Sequence, residues 1–119
     1  MKLTDKQINT YIEETAAYTS REAFASDVSI SAYDAAGLTD DIDPEFVEQV
    51  ARLWDVIRLP FRDLLAAFGI GQTACARRFC IGVKTVQRWC SASDSYVREC
   101  APYIRLMMAE LLGYLNIRA

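Results

Sequence analysis

Histidine is absent from this chain of 119 residues. That absence removes the usual general base at neutral pH and the commonest metal ligand. Glycine and proline are scarce, five and three residues, and no Gly-rich loop of the phosphate-cradling kind occurs. No apolar run approaches the roughly 20 residues that span a bilayer, and the opening MKLTDKQINT lacks the apolar core of a signal peptide. A cytoplasmic protein with no membrane association is therefore expected. Four cysteines are present (Cys75, Cys80, Cys90 and Cys100), but none forms a CxxC pair. A zinc site normally needs paired ligands two to four residues apart. The cysteines read instead as small apolar residues of a reduced compartment, so neither a metal nor a cofactor is expected. No nucleophile stands beside a base, and the adjacent carboxylates of Asp40 and Asp41 lie in a loop rather than across a cleft. An enzyme is not expected.

The apolar fraction, 52%, is enough for a packed core and excludes wholesale disorder. Charge is segregated along the chain. Residues 1–60 carry five basic and twelve acidic side chains, a net of −7, whereas residues 61–119 carry eight basic and four acidic, a net of +4. Such asymmetry suggests nucleic-acid contact by the basic half. Two regions are expected: an acidic helical extension over 1–59 and a helix-turn-helix domain over 60–119.

The pattern is helical nearly throughout, and an all-α fold of five to seven helices follows. Thr4 and Gln7 form a capping-box pattern ahead of a helix over about 5–18, with Ile8, Tyr11, Ile12 and Thr15 on one face. Ser20 caps a shorter helix over 19–27. Residues 26–43, rich in Ser and Asp, read as a loop with an alternating Val28 and Ile30. Asp43-Pro44 starts a helix that buries Phe46, Val50, Leu53, Trp54 and Ile57 and is broken by Pro60. PFRDLLAAF follows, closed by Gly69 in a left-handed conformation. Two short helices are expected at about 72–79 and 83–91, then a polar connection over 91–101. A final helix from Pro102 presents Tyr103, Leu106, Met107, Leu111 and Leu112.

Residues 72–89, QTACARRFCIGVKTVQRW, have the mechanical requirements of a helix-turn-helix: a small residue, Ala76, at the crossing, a brief turn from Cys80 to Gly82, and Val86 and Trp89 facing back on the first helix. Trp89 is expected to pack on Ala76. Outward polar side chains supply the contact chemistry. Gln87 can pair two-pronged with adenine and Arg88 with the O6 and N7 edge of guanine; Thr85 suits a phosphate or a thymine methyl, and Lys84 a phosphate. Gly82 lets phosphate or sugar come close. Arg77 and Arg78 are adjacent cations, one of them expected to pair with an acidic neighbour.

With PFRDLLAAFGI before it, TVQRW at its centre and RECAPYIRLMMAELLGYL after it, this stretch resembles the Cro/repressor-type helix-turn-helix DNA-binding domains, in a variant common in mobile elements and phages of Gram-positive bacteria. The likeness covers roughly residues 60–116. It implies a transcription regulator that places the helix at about 83–91 in the major groove of double-stranded DNA, with Gln72 at a phosphate. The chain departs from that pattern after Trp89. Where related sequences carry a glycine, a cation and a proline, CSASDSYVREC is about four residues longer and has Asp94 at the cation's place.

Symmetric half-sites would follow from a dimer, and the last helix, with Leu106, Met107, Met108, Leu111 and Leu115, is the candidate homodimer surface. The alternative is a protein-interaction module, an antitoxin or adaptor, whose protein partner meets the acidic first half at Asp40, Asp41, Asp43, Glu45 and Glu48. Acids near a helix start also simply favour the helix dipole.

Overall fold

The computed structural model describes residues 1–39, 41–91 and 100–117. Among them are seven α-helices, one 3-10 turn and no strand extended enough to pair into a sheet. The chain divides into two compact units, one made of Met1–Arg58 with the residues from Leu115 onward, the other of Leu59–Tyr114. No helix among the described residues is long and apolar enough to cross a membrane.

The first unit is built on side-chain caps. Helix α1 (Asp5–Glu14) opens on a complete capping box: the Gln7 amide donates to Thr4 Oγ1 at 3.2 Å, and the Thr4 amide donates to Gln7 Oε1 at 3.0 Å. It tightens into a 3-10 turn at Thr15–Ala17. The buried Thr15 hydroxyl donates to the Ile12 carbonyl and accepts from Arg58. Helix α2 (Arg21–Ala35) starts where the Ser20 hydroxyl accepts from the Ala23 amide at 3.2 Å. Helix α3 (Pro44–Arg58) follows Asp43, whose carboxylate accepts from the Glu45 amide and whose carbonyl accepts from Phe46 and Val47. Pro44 sits in the first turn, where its missing N–H costs nothing.

Helix α2 corrects the expected loop over 26–43. Phe24, Ala25, Val28, Ser29, Ala32 and Tyr33 recur at steps of three and four, and all are buried. Small Ala and Ser side chains fill half of that stripe, so it looks polar to a reading that counts only large apolar residues. Ile30, the other half of the apparent alternation with Val28, faces solvent. Helices α2 and α3 pack together around Phe24, Val28, Phe46, Val50, Leu53 and Val56. Trp54, expected inside, is only half-buried; Ala51 and Asp55 take up the face instead. Leu115 is buried in this unit, and the Asn116 amide donates to Gln49 Oε1 at 2.7 Å.

In the second unit, α4 (Phe61–Phe68), α5 (Gln72–Arg78), α6 (Val83–Ser91) and α7 (Pro102–Leu111) enclose Phe61, Leu64, Leu65, Cys75, Ala76, Val86, Cys100, Met108 and Ala109. Gly69 ends α4 at φ 73°, as the sequence predicts, with Ile70 N–H bonded back to Leu65. Helix α7 is turned differently from the expectation. Arg105, Met108 and Ala109 face inward, while Tyr103, Met107 and Leu111 are exposed by 66%, 58% and 58%. This helix is apolar nearly all round, so periodicity does not select its inner face. Residues 92–99, which hold most of the expected polar connection and Asp94, lie outside the described residues, as does Asp40.

Candidate nucleic-acid interface

Helices α5 and α6 are joined by four residues, Phe79–Gly82, and pack on each other. The join depends on Cys80, a non-glycine residue at φ 56°. Cys80 N–H donates to the Arg77 carbonyl and Ile81 N–H to the Ala76 carbonyl at 2.9 Å, the same closure that Gly69 gives α4. The Gly82 carbonyl then accepts from Thr85 and Val86, starting α6. Ala76 and Val86 are both buried at the crossing. Trp89 turns inward as expected, but the ring contact it makes is with Phe61, edge-on at 5.3 Å between centroids. Helix α6 is thereby fixed against α4 as well as α5.

With Val86 and Trp89 inward, the opposite side of α6 is left to solvent. Lys84, Gln87 and Arg88 are exposed, and Thr85 is half-buried. Among the described residues the side chains of Lys84, Gln87 and Arg88 have no hydrogen bond or ion pair, so their donors are uncommitted. Gly82 is exposed at the head of this face. Gln72, at the start of α5, is also exposed, although its side chain hydrogen-bonds the Cys90 thiol.

Arg77 and Arg78 are exposed. The acidic neighbour expected for one of them is not found among the described residues; Arg78 instead lies over the Phe79 ring at 5.4 Å. From Leu64 to Ser93 the sequence holds four cations and no acid, so nothing on the motif itself opposes a polyanion.

Cys75 and Cys100 are buried as small apolar residues would be, whereas Cys90 is half-buried and Cys80 is exposed. Burial raises the Cys75 thiol, with nearby Cys90 adding to the effect. Burial also raises Cys90, against the opposing pull of Arg62 and the Gln72 hydrogen bond. Cys100 is pushed up to about 12 by burial, despite Arg105. Among the described residues no three Cys, His, Asp or Glu side chains converge in a way that could hold a metal ion.

Sequence reasoning missed Arg105. Its guanidinium is buried, donates to the Leu59 carbonyl at 2.6 Å and lies 5.9 Å from the Phe61 centroid. It braces the ring on which Trp89 rests. The available signal was a lone cation among the apolar residues of YIRLMMA.

Three acids of the first unit, Asp43, Glu48 and Asp55, are tied into its structure. Arg21 Nε bonds both carboxylate oxygens of Asp55, at 2.9 and 3.0 Å, and its Nη2 reaches Glu48 at 3.2 Å. Partial burial works against the guanidinium's charge, but Asp55 and Glu48 outweigh it and raise Arg21 above its ordinary value. Glu48 also meets Arg52. A surface groove beside α3 is lined by Lys2, Asp43, Glu45, Glu48 and Arg52, and this mixture of signs selects no ligand charge. A scan of protein-family models and searches of curated proteins and of solved structures found no match to this chain.

Proposed function

We propose that this protein is a cytoplasmic, sequence-specific DNA-binding transcriptional regulator that inserts α6 into the major groove. The observation that carries this reading is the uncommitted polar face of Lys84, Gln87 and Arg88 on a helix whose other side is fixed by Val86 and Trp89. A rigid helix with free two-pronged donors is what base reading requires. In this reading Gln87 and Arg88 read base edges. Lys84, Thr85, Gln72 and the Gly82 backbone lie along phosphate and sugar. The acidic first unit lowers nonspecific affinity and flattens the salt dependence.

A homodimer belongs to the same reading. Tyr103, Met107 and Leu111, at i, i+4 and i+8, leave an apolar stripe open on α7, and a two-fold axis through it would present two copies of α6 to half-sites about one helical turn apart. The rival interaction-module reading loses two of its acids to the fold, because Asp43 caps α3 and Glu48 is held by Arg21 and Arg52; Asp41 and Glu45 stay available to it.

The test is selection of bound duplexes from a random pool at low and physiological salt, with the Gln87→Ala/Arg88→Ala protein as control. Enrichment of a palindrome that the double variant loses supports the reading. No enrichment at either salt by a folded protein sinks it. Sedimentation at increasing protein concentration, with and without Met107→Glu, tests the dimer.

A further inference from the structure

We propose that Val83 is a specificity-determining residue that reads a thymine methyl group, so that α6 recognises an A·T-containing step through Val83 and Gln87 together. This rests on the DNA-binding reading above and names a base-contacting side chain beyond the polar ones. Val83 is the first residue of α6 and is 39% exposed. It precedes Gln87 by four residues, so the two share one edge of the exposed face.

Val83 keeps 39% of its surface open to solvent at the head of the helix. The apolar side of α6 is already supplied by Val86, which is fully buried, and by Trp89 on Phe61.

The residue before it, Gly82, is the N-cap of α6, a position that glycine suits. Gly82 has no left-handed φ, and a Cβ added there would meet nothing nearer than Thr85 Oγ1 at 3.8 Å. A side chain would fit, yet none is present. Val83 and Gly82 together leave an uncharged, uncrowded approach at the head of an otherwise polar helix.

The chemistry that matches this pair of side chains is an A·T step. In the major groove adenine offers N7 and N6 to a two-pronged amide, and thymine alone carries a C5 methyl. Gln87 supplies the amide and Val83 the apolar contact. Burying one methyl against an aliphatic group strengthens binding about fourfold.

The experiment replaces each thymine of the selected duplex by uracil, one at a time, and measures equilibrium binding by fluorescence anisotropy for the wild type and Val83→Ser. Circular dichroism confirms that the variant is folded. The expected result is one position per half-site where uracil weakens the wild type about fourfold, while Val83→Ser binds the thymine duplex about as weakly and does not distinguish the two bases. Wild-type indifference to uracil at every position overturns this inference alone, as does a Val83→Ser protein as sensitive as the wild type. A folded wild type that selects no duplex overturns this inference and the DNA-binding reading together.

Discussion

The two units of this chain use polar side chains in opposite ways. In Met1–Arg58, Thr4, Ser20 and Asp43 accept from the helix starts they precede, and Arg21 ties α2 to α3 through Asp55 and Glu48. In Leu59–Tyr114, the residues before α4, α5 and α7 are Pro60, Gly71 and Ala101, with no side-chain cap bond. That unit is held by ring and apolar contacts, Trp89 on Phe61 and Phe68 on Tyr114, with Arg105 as its one buried cation among the described residues. Polar groups engaged in folding are not free to bind, whereas those left out of the fold can be presented to a ligand. Hence the more polar unit is the weaker candidate for recognition.

The comparison breaks first at Gln87 and Arg88. Removing both is expected to weaken specific DNA binding by about 4 kcal/mol, summing two two-pronged contacts. The urea midpoint should move by less than about 0.5 kcal/mol equivalent. A comparable loss of stability would mean that these side chains hold the fold. Arg21 is the converse case. Arg21→Met is expected to cost about 2 kcal/mol of stability, because the buried Asp55 loses a charged partner. Unfolding followed through Trp54 in a Trp89→Phe background measures it, and a neutral outcome would remove the ionic tie from the account.

Alkaline pH reaches both units, through Tyr11 and Tyr18 in the first, both raised chiefly by burial, and through the cysteines, all four of which lie in the second. Cys100 ionises at 9.0 when unfolded but only at about 12 when buried. The folded state therefore keeps its advantage below pH 9 and loses it as pH rises from 9 toward 12. At pH 10 the loss is about 1.4 kcal/mol. Cys100→Ala should flatten the midpoint-against-pH curve; parallel curves for the two proteins would exclude this thiol as the source. The smallest effect concerns the turn between α5 and α6. Cys80→Gly is expected to stabilise by about 1 kcal/mol by relieving the left-handed residue, and Gly69→Ala to destabilise by about as much. Denaturation midpoints of the two variants should move in opposite directions.

Features that one residue pair can specify were legible in the sequence. The Thr4–Gln7 box, the Asp43-Pro44 start and the Gly69 stop appear in the structure at those residues, because caps and stops are local chemistry. The all-α class followed from the same periodicity. Helix α2 was not legible, since its inward stripe mixes Ala25, Ser29 and Ala32 with larger residues. The inner face of α7 was hidden for the opposite reason, an excess of apolar residues, and Arg105 entered the core through tertiary hydrogen bonding that no periodicity encodes. The exposure of Lys84, Gln87 and Arg88 follows directly from Val86 and Trp89 facing inward. The left-handed turn at Cys80 does not, because cysteine gives no signal for that conformation.

The chain leaves the first unit after Arg58 and rejoins it at Leu115, where the buried leucine and the Asn116–Gln49 bond anchor the return. While the first unit is folded, an unfolded 59–114 segment is a closed loop rather than a free tail. By the chain-entropy account of cross-links, pinning both ends of a loop this long removes roughly 4 kcal/mol of conformational freedom from its unfolded state. The topology thus acts on the four-helix insert as a covalent staple would, without a disulfide. Untying Leu115 would loosen the insert without altering any contact inside it.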